Sequence, residues 1–178
     1  MSMREKEDDD GGDESCVKID GESKKINKWK SLKEMKEYLR SEFEKKTKTW
    51  QRREGQTHLH FAAYLGDVDA TKMLIEDNAD VNAVDEYKYT ALHDATLEGH
   101  VDVVKVLIQN GADVNAVGRD GETAVHSAVE EGHADVLKVL IQNGADVPAG
   151  EQDEWTLLHR VAARLDEHVD VVNVLIQN

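Results

Sequence analysis

Residues Thr90 to Gly121 read TALHDATLEGHVDVVKVLIQNGADVNAVGRDG, and their pattern returns along the chain at a fixed interval. Two sets of residues recur with a spacing of 33 positions: Thr57, Thr90, Thr123 and Thr156, and His60, His93, His126 and His159. The words LIQNGADV at 107–114 and 140–147 are identical, and LIQN returns at 175–178. A fixed period of this length is typical of solenoids, in which each repeat buries its apolar face only against a neighbour. The sequence therefore predicts a stack of similar units.

Each copy is predicted to contain two short helices. The recurrent threonine is well placed to cap the first helix, because its hydroxyl can accept from an otherwise unpaired N–H of the first turn. This helix is expected at about 59–65 in the first copy. A second helix follows a glycine in the first three copies, and its apolar positions recur with steps of 3, 3 and 1. The predicted buried stripes are Val68, Thr71, Leu74 and Ile75; Val101, Val104, Leu107 and Ile108; Ala134, Leu137, Leu140 and Ile141; and Val169, Val172, Leu175 and Ile176. Gly111 and Gly144, and Asn78 in the first copy, are expected to end the second helices in the left-handed conformation.

The interval of 33 residues with the opening T-x-L-H-x-A resembles the ankyrin repeat. The resemblance covers residues 52–178 in three full copies and one incomplete one, with the array divided into 51–84, 85–117, 118–150 and 151–178. It implies an all-α, ankyrin-type helical repeat solenoid that presents a binding surface rather than an active site. The proline of the family's T-P-L-H opening is missing from every copy, and the fourth copy holds two extra residues between Thr156 and His168. That copy is therefore expected to have a longer first helix or a bulged turn between its helices.

Two segments of contrasting charge precede the repeats. Residues 1–27 are predicted to form a disordered acidic tail, because they hold too little apolar surface to pack. Residues 28–50 are predicted to form an additional basic amphipathic helix, with Ser31 and Glu34 as a possible capping box. Its apolar stripe consists of Trp29, Leu32, Met35, Leu39 and Phe43. Three roles stay open for it: a cap on the first repeat, a helix that binds a partner or a membrane surface, and a helix that forms only transiently.

The net charge of −15 is unevenly distributed. Residues 1–27 carry 5 basic and 9 acidic side chains, residues 28–53 carry 10 and 4, and residues 54–178 carry 7 and 24. An array with this many acidic side chains repels the phosphate backbone of nucleic acids. The charge therefore disfavours nucleic acid as a partner and favours basic proteins. A single cysteine, Cys16, and the lack of an apolar leader or of a run of about 18 apolar residues predict a soluble protein of the cytoplasm.

The eight histidines do not form a metal-binding pattern. Equivalent histidines of successive repeats are expected about 8 to 10 Å apart, because that is the spacing of packed helices, whereas zinc holds its nitrogen ligands at about 2.0 to 2.1 Å. The resemblance implies that the histidines at the repeat openings make structural hydrogen bonds. Adjacent acids such as Glu130 and Glu131 do not face each other on a helix, and no nucleotide-binding glycine motif occurs. We therefore expect no cofactor, no metal and no enzymatic activity.

The resemblance also implies where a partner binds: on a concave side formed by the turn residues before each threonine and the last residues of each first helix. The turn positions are Arg53, Glu54 and Gln56; Glu86, Tyr87 and Tyr89; Arg119, Asp120 and Glu122; and Gln152, Asp153 and Trp155. The helix-end positions are Tyr64 and Leu65, Leu97 and Glu98, Glu130 and Glu131, and, in the fourth copy, Ala163 and Arg164. Exposed aromatic rings are frequent anchors of protein interfaces, although the rings of these turns can instead pack on a neighbouring turn.

These features predict a protein–protein interaction module whose partner presents a basic segment with apolar anchors. One alternative is an assembly role, in which the fourth repeat stacks on another chain. The protein is therefore expected to be either a monomer or a species that self-associates weakly through that repeat. A second alternative is a membrane-surface adaptor that uses the basic helix, although a membrane is the less expected partner.

Overall fold

A computed structural model describes residues 31–46, 54–147 and 168–177. Within these ranges it contains eight α-helices, one short 3-10 turn and no β-strand. The helices are α1 (Leu32–Lys46), α2 (His58–Leu65), α3 (Val68–Glu76), α4 (Ala91–Leu97), α5 (Val101–Gln109), α6 (Ala124–Glu130), α7 (Ala134–Gln142) and α8 (Val169–Gln177), with the 3-10 turn at Arg119–Gly121. The first helices α2, α4 and α6 contact one another in one layer, and the second helices α3, α5, α7 and α8 contact one another in a second layer. The predicted all-α repeat solenoid is confirmed.

Each of the first three repeats opens on a threonine–histidine pair that caps its first helix. Thr57, Thr90 and Thr123 are extended N-cap residues, and the histidine three positions later completes a capping box. The backbone N–H of Thr57 donates to Nδ1 of His60 over 3.1 Å, so this nitrogen carries no proton. Nε2 of His60 lies 3.0 Å from the backbone carbonyl of Tyr89 and is the donor, because a carbonyl only accepts. One side chain thereby caps its own helix and holds the next repeat.

A second histidine ties each repeat to the one before it, at the turn between the two helices. Nε2 of His100 donates to the backbone carbonyl of Tyr64 over 3.0 Å, and Nε2 of His133 donates to that of Leu97 over 3.1 Å. His168 makes the equivalent contact from the fourth repeat. Each of these rings lies against the glycine turn of the preceding repeat, where a Cβ atom would clash. These histidines are therefore structural.

The second helices end in left-handed residues, and the chain then enters the turns. Gly111 has a φ of 88°, and Asn78 occupies the same place in the first repeat with a φ of 62°, as the sequence predicts. Side-chain amides join the segments that follow. Nδ2 of Asn82 donates to the carbonyl of Gly111 over 2.9 Å, and its Oδ1 accepts from the N–H of Asp113 over 2.8 Å. Asn115 makes the same pair of bonds one repeat later, so the turns are held in register along the stack.

The core runs along the stack between the two layers of helices. Its large buried side chains include Leu59, Phe61, Leu74, Leu92, Val104, Leu107, Val125, Leu137 and Leu140. The predicted stripe of the second helices needs two corrections. Ala70, Val103 and Val136 share one position of the repeat and lie outside the stripe but are buried, because each of these second helices packs on its own first helix as well as on its neighbours in the second layer. The first and last positions of the stripe on α3, α5 and α7 are only half-buried.

On α8 the buried residues are Val171 and Val174 rather than the four of the predicted stripe. Val172 and Leu175 are half-buried, and Val169 and Ile176 are 54% and 70% exposed, since within the described residues no further second helix packs beyond α8.

Helix α1 packs on the first repeat. Met35 and Leu39 are fully buried, and α1 contacts both α2 and α3. Oγ of Ser31 accepts from the N–H of Glu34 over 3.2 Å, which is one of the two hydrogen bonds of the predicted capping box. Nζ of Lys36 lies 3.3 Å from a carboxylate oxygen of Asp77, at the end of α3. Of the three roles that the sequence leaves open for this helix, these contacts favour the cap on the first repeat.

Some predictions concern residues outside the described ranges. The disordered tail at 1–27 is one, and the first helix of the fourth repeat, with its two extra residues, is another. The ends of the predicted 28–50 helix, Trp29 included, also lie outside those ranges. The domain boundaries stay predictions.

Candidate partner-binding site

The turn of the second repeat is held by hydrogen bonds within it. Oδ1 of the buried Asp85 accepts from the backbone N–H groups of Tyr87 and Tyr89, both over 2.9 Å. The N–H of Lys88 donates to the carbonyl of Asp85 over 3.0 Å, and the N–H of Asp85 donates to the carbonyl of Tyr89 over 3.0 Å. These bonds fix the backbone from which the predicted contact residues of this turn project.

Successive turns are joined into one row. This turn row contains the described residues Glu54, Gln56, Glu86, Tyr87, Tyr89, Arg119 and Glu122. The N–H of Glu86 donates to the carbonyl of Glu54 over 2.9 Å, and Oε1 of Glu86 accepts from the N–H of Glu54 over 3.1 Å. The hydroxyl of Tyr89 donates to Oε2 of Glu122 over 3.0 Å, which joins the second turn to the third. The structure therefore brings these predicted turn residues together.

The two tyrosines of the second turn differ in their surroundings. The half-buried ring of Tyr89 lies 5.2 Å from the ring of His93, and it contacts Gly118 so closely that a Cβ atom there would clash. Tyr89 therefore packs on the neighbouring turn, which is the alternative that the sequence leaves open for these rings. Tyr87 is also half-buried, and the guanidinium carbon of Arg119 lies 5.1 Å from its ring centre, within cation–π range.

A groove of about 570 Å³ lies between the second and third turns. This inter-turn groove is lined by Glu86, Tyr87, Lys88, Val117, Gly118, Arg119 and Gly121. Val117 is 54% exposed, and Val84, which lies one 33-residue period earlier, is 52% exposed. Sequence reasoning missed both valines and Lys88. Two signals could have identified them: the periodic spacing of the valines, and a lysine at the position that Gly55 and Gly121 occupy in the neighbouring turns.

The helix-end residues form a second row. This helix-end row contains Tyr64, Leu65, Leu97, Glu98, Glu130 and Glu131. It lies at the C-terminal ends of the first helices, whereas the turn row precedes their N-terminal ends. A first helix of seven residues is about 10 Å long, so the two rows run along the stack about that distance apart. Glu98, Glu130 and Glu131 are exposed, whereas Leu65 borders a groove that it shares with Tyr38 of α1.

The remaining predicted site residues are not described by the structure. Arg53, Gln152, Asp153 and Trp155, with Ala163 and Arg164, lie outside the described residues. Asp120 lies within the 3-10 turn, but its side chain is outside the description. The contribution of the fourth repeat to the predicted surface stays a prediction.

The described residues contain no group of three His, Cys, Asp or Glu side chains that could hold a metal ion. Among the helices α1 to α8, none combines the length and apolar character needed to cross a lipid bilayer. The two rows present charged, hydrogen-bonding and aromatic groups on a scaffold of stacked helices, an arrangement suited to binding a polypeptide.

A comparison with protein families matches the chain to the model described as ankyrin repeats (3 copies), over residues 27–118 and 116–178. The chain therefore belongs to the ankyrin-repeat family. The match begins upstream of residue 52, so that it includes α1. A comparison with curated proteins gives no match. Ankyrin repeats generally mediate protein–protein interaction and are typically non-enzymatic.

Proposed function

We propose that the turn row and the helix-end row together bind a basic segment of a partner protein. One observation carries this proposal: exposed carboxylates recur on both rows of the stack. Glu54 and Glu86 are exposed at the turns, and Glu98, Glu130 and Glu131 are exposed at the helix ends. They belong to an array, residues 54–178, that carries 24 acidic and 7 basic side chains. A field of one sign steers an oppositely charged partner and sets its register.

The surface near these carboxylates also offers apolar contacts for the partner segment. Tyr87 presents part of its ring beside the exposed Val117, and both line the inter-turn groove. Val84 offers a second exposed apolar contact on the preceding turn. Aromatic and apolar contacts supply most of the affinity of protein interfaces, whereas rim charges mainly set the association rate. The partner segment is therefore expected to alternate basic and apolar residues.

The experiment is quantitative capture from a cell extract with three forms of the full chain. In the face variant, Glu98, Glu130 and Glu131 are replaced by glutamine. In the control variant, the exposed Glu37, Asp69 and Glu76 on α1 and α3 are replaced by the corresponding amides, which changes the net charge equally. Circular dichroism establishes that all three forms are equally helical.

We expect partner proteins with basic segments to be captured by the wild type and the control, and about tenfold less by the face variant. Equal capture by the face variant would place the binding surface elsewhere on the molecule. In this proposal the protein is a cytoplasmic binding module that acts without a cofactor or catalysis.

Self-assembly is a second candidate, because α8 presents exposed apolar side chains. Val169 and Ile176 lie on this helix, and Val172 and Leu175 beside them are only half-buried. Light scattering over a range of concentrations tests it, with Ile176→Asp as the variant. A mass that rises with concentration for the wild type but not for the variant would support assembly, and a constant monomer mass for both would reject it.

The membrane alternative has no comparable support. Met35 and Leu39, the centre of the apolar stripe of α1, are buried against the first repeat. Contact of that stripe with lipid would require α1 to leave the array.

A further inference from the structure

Two exposed valines occupy equivalent positions of consecutive repeats. Val84 and Val117 lie 33 residues apart, shortly before the second and third turns, and their side chains are 52% and 54% exposed. Within the described residues only five large apolar side chains are exposed, and the other three are Val147 and, on α8, Val169 and Ile176. An exposed apolar pair that recurs with the period of the array offers a partner two contacts at the spacing of the repeats.

The backbone that carries each valine is joined to the next repeat. Two residues before Val84, the side-chain amide of Asn82 bonds two backbone groups of the following repeat. Two residues before Val117, Asn115 makes the same two bonds one repeat further along. The first helices of consecutive repeats contact each other, and packed helices lie about 8 to 10 Å apart. The two valines therefore lie roughly 8 to 10 Å apart along the stack.

The surface between the two valines is aromatic. Tyr87 follows Val84 by three residues, and its half-buried ring lines the inter-turn groove together with Val117. Charged side chains of both signs line the same groove, namely Glu86, Lys88 and Arg119, and the side chain of Asp120 beside them is outside the described residues. The feature that distinguishes this part of the turn row is therefore the apolar pair with the ring between its members.

The distance between the valines selects among the regular conformations of a bound segment. In an extended strand, side chains on one face recur every second residue, about 6.8 Å apart. In a polyproline II segment, every third residue lies on the same face and the rise is about 3.1 Å per residue, which gives about 9.3 Å. In an α-helix the nearest repeat on one face is seven residues, about 10.5 Å. Only the polyproline II spacing lies within the range of about 8 to 10 Å.

We propose that the turns bind the partner segment in the polyproline II conformation, with two apolar residues three positions apart on Val84 and Val117. The segment crosses the ring of Tyr87, because aromatic rings are the surfaces on which polyproline II segments dock. Gln51 and Gly150 hold the equivalent position in the first and fourth copies, so the pattern has two apolar residues and not a longer series. This inference rests on the proposed function and gives the basic partner segment a conformation and an apolar spacing.

The test starts from random 12-residue peptides displayed on phage and selected on the full chain. The consensus peptide, and copies in which one of its apolar residues is changed to serine, are then titrated by fluorescence anisotropy. The proteins titrated are the wild type, Val84→Ser, Val117→Ser and Val169→Ser. Val169 is the matched control, because it is also 54% exposed but lies on α8. Circular dichroism establishes that the four proteins are equally helical.

We expect a consensus with two apolar positions three residues apart and basic residues around them. Val84→Ser and Val117→Ser are each expected to weaken binding about fivefold, and Val169→Ser less than twofold. Each serine copy of the peptide should lose affinity for the wild type but not for the one variant whose valine it contacts. A consensus spacing of two or seven, an equal loss with Val169→Ser, or the absence of this pairing would overturn the inference.

A second peptide tests the conformation. Proline at both positions between the apolar residues removes two N–H donors and fixes φ near −65°, which polyproline II accommodates and a paired strand or a helix interior does not. We expect this peptide to bind at least as tightly as the consensus, since less chain entropy is lost. A tenfold loss of affinity would reject the polyproline II conformation.

The face variant separates this inference from the proposed function. Peptides that bind the valine variants like the wild type but lose affinity for the face variant would reject the inference and leave the proposed function intact. If no selected peptide distinguishes the wild type from the valine variants or from the face variant, both fail.

Discussion

At the scale of the residue, Gly99 shows why the turn between the two helices of a repeat requires glycine. Its φ is 74°, and a Cβ atom on it would lie 2.6 Å from Cε1 of His133. That ring is held in place, because its Nε2 donates to the carbonyl of Leu97. Gly111 has a comparable φ of 88°, but no atom lies within 4 Å of the place that its Cβ would take. A comparison of substitutions at the two glycines therefore separates the cost of left-handed backbone strain from the cost of a steric clash.

We predict that Gly99→Ala lowers the free energy of unfolding by about 3 kcal/mol, which combines left-handed strain with overpacking against the imidazole. Gly111→Ala is expected to cost about 1 kcal/mol, since only the backbone term remains. Urea denaturation followed by circular dichroism measures both. Equal losses for the two variants would mean that the ring of His133 moves aside.

For Lys88 we predict the opposite effect. This residue carries a Cβ atom although its backbone lies in the left-handed region, with a φ of 62°. Lys88→Gly is expected to raise the free energy of unfolding by about 1 kcal/mol. Asn78→Gly, at the same φ, is expected to gain less, since asparagine tolerates the left-handed conformation better than lysine does. A loss of stability in Lys88→Gly, measured by the same denaturation, would show that the lysine stabilises the fold.

At the scale of the element, α1 closes the end of the stack with a buried apolar side and an exposed charged one. Leu39 is fully buried, whereas its neighbour Arg40 is exposed. The ion pair of Lys36 with Asp77 is partly exposed and contributes little by itself. The packing of α1 therefore depends mainly on its apolar stripe.

We predict that Leu39→Asp lowers the free energy of unfolding by about 3 kcal/mol, because it places an unpaired charge in an apolar contact. Arg40→Asp changes the charge of the adjacent, exposed position and is expected to cost about 0.5 kcal/mol or less. Thermal unfolding of the two variants makes the comparison. If Leu39→Asp were as stable as Arg40→Asp, α1 would be a helix that dissociates readily from the array, as a partner-binding helix would.

At the scale of the whole molecule, charge is the most asymmetric property. Residues 54–178 have 24 acidic and 7 basic side chains, whereas residues 28–53 have 4 and 10. The array therefore attracts basic ligands electrostatically, and the range of this attraction becomes shorter when salt is added.

We predict that the association rate constant of a basic peptide selected on the wild type falls about tenfold when salt is raised from about 0.05 M to about 0.5 M. The face variant, with Glu98, Glu130 and Glu131 neutralised, is expected to show a shallower dependence. Stopped-flow fluorescence measures both rates. A rate independent of salt would mean that apolar contacts alone govern the encounter.

Much of the fold was predictable because it is encoded locally and repeated. The caps at Thr57, Thr90 and Thr123 and the left-handed Asn78 follow from short-range rules of helix geometry. The predicted stripe was wrong for Val169, because burial there depends on a neighbouring repeat rather than on helical periodicity. The apolar pattern within one helix does not reveal how many neighbouring helices that helix contacts.

The sequence by itself determined the period, the helix pairs, the acidic array and the family of this protein, because each of these properties belongs to one repeat and recurs in the next. Only the tertiary structure decided the role of individual side chains between repeats. It packs Tyr89 on Gly118 while it leaves Val117 exposed, and it brings Lys88 and Arg119 into one groove. These residues lie about one repeat apart in the chain, and their contacts arise from stacking, which a pattern within a single repeat does not contain.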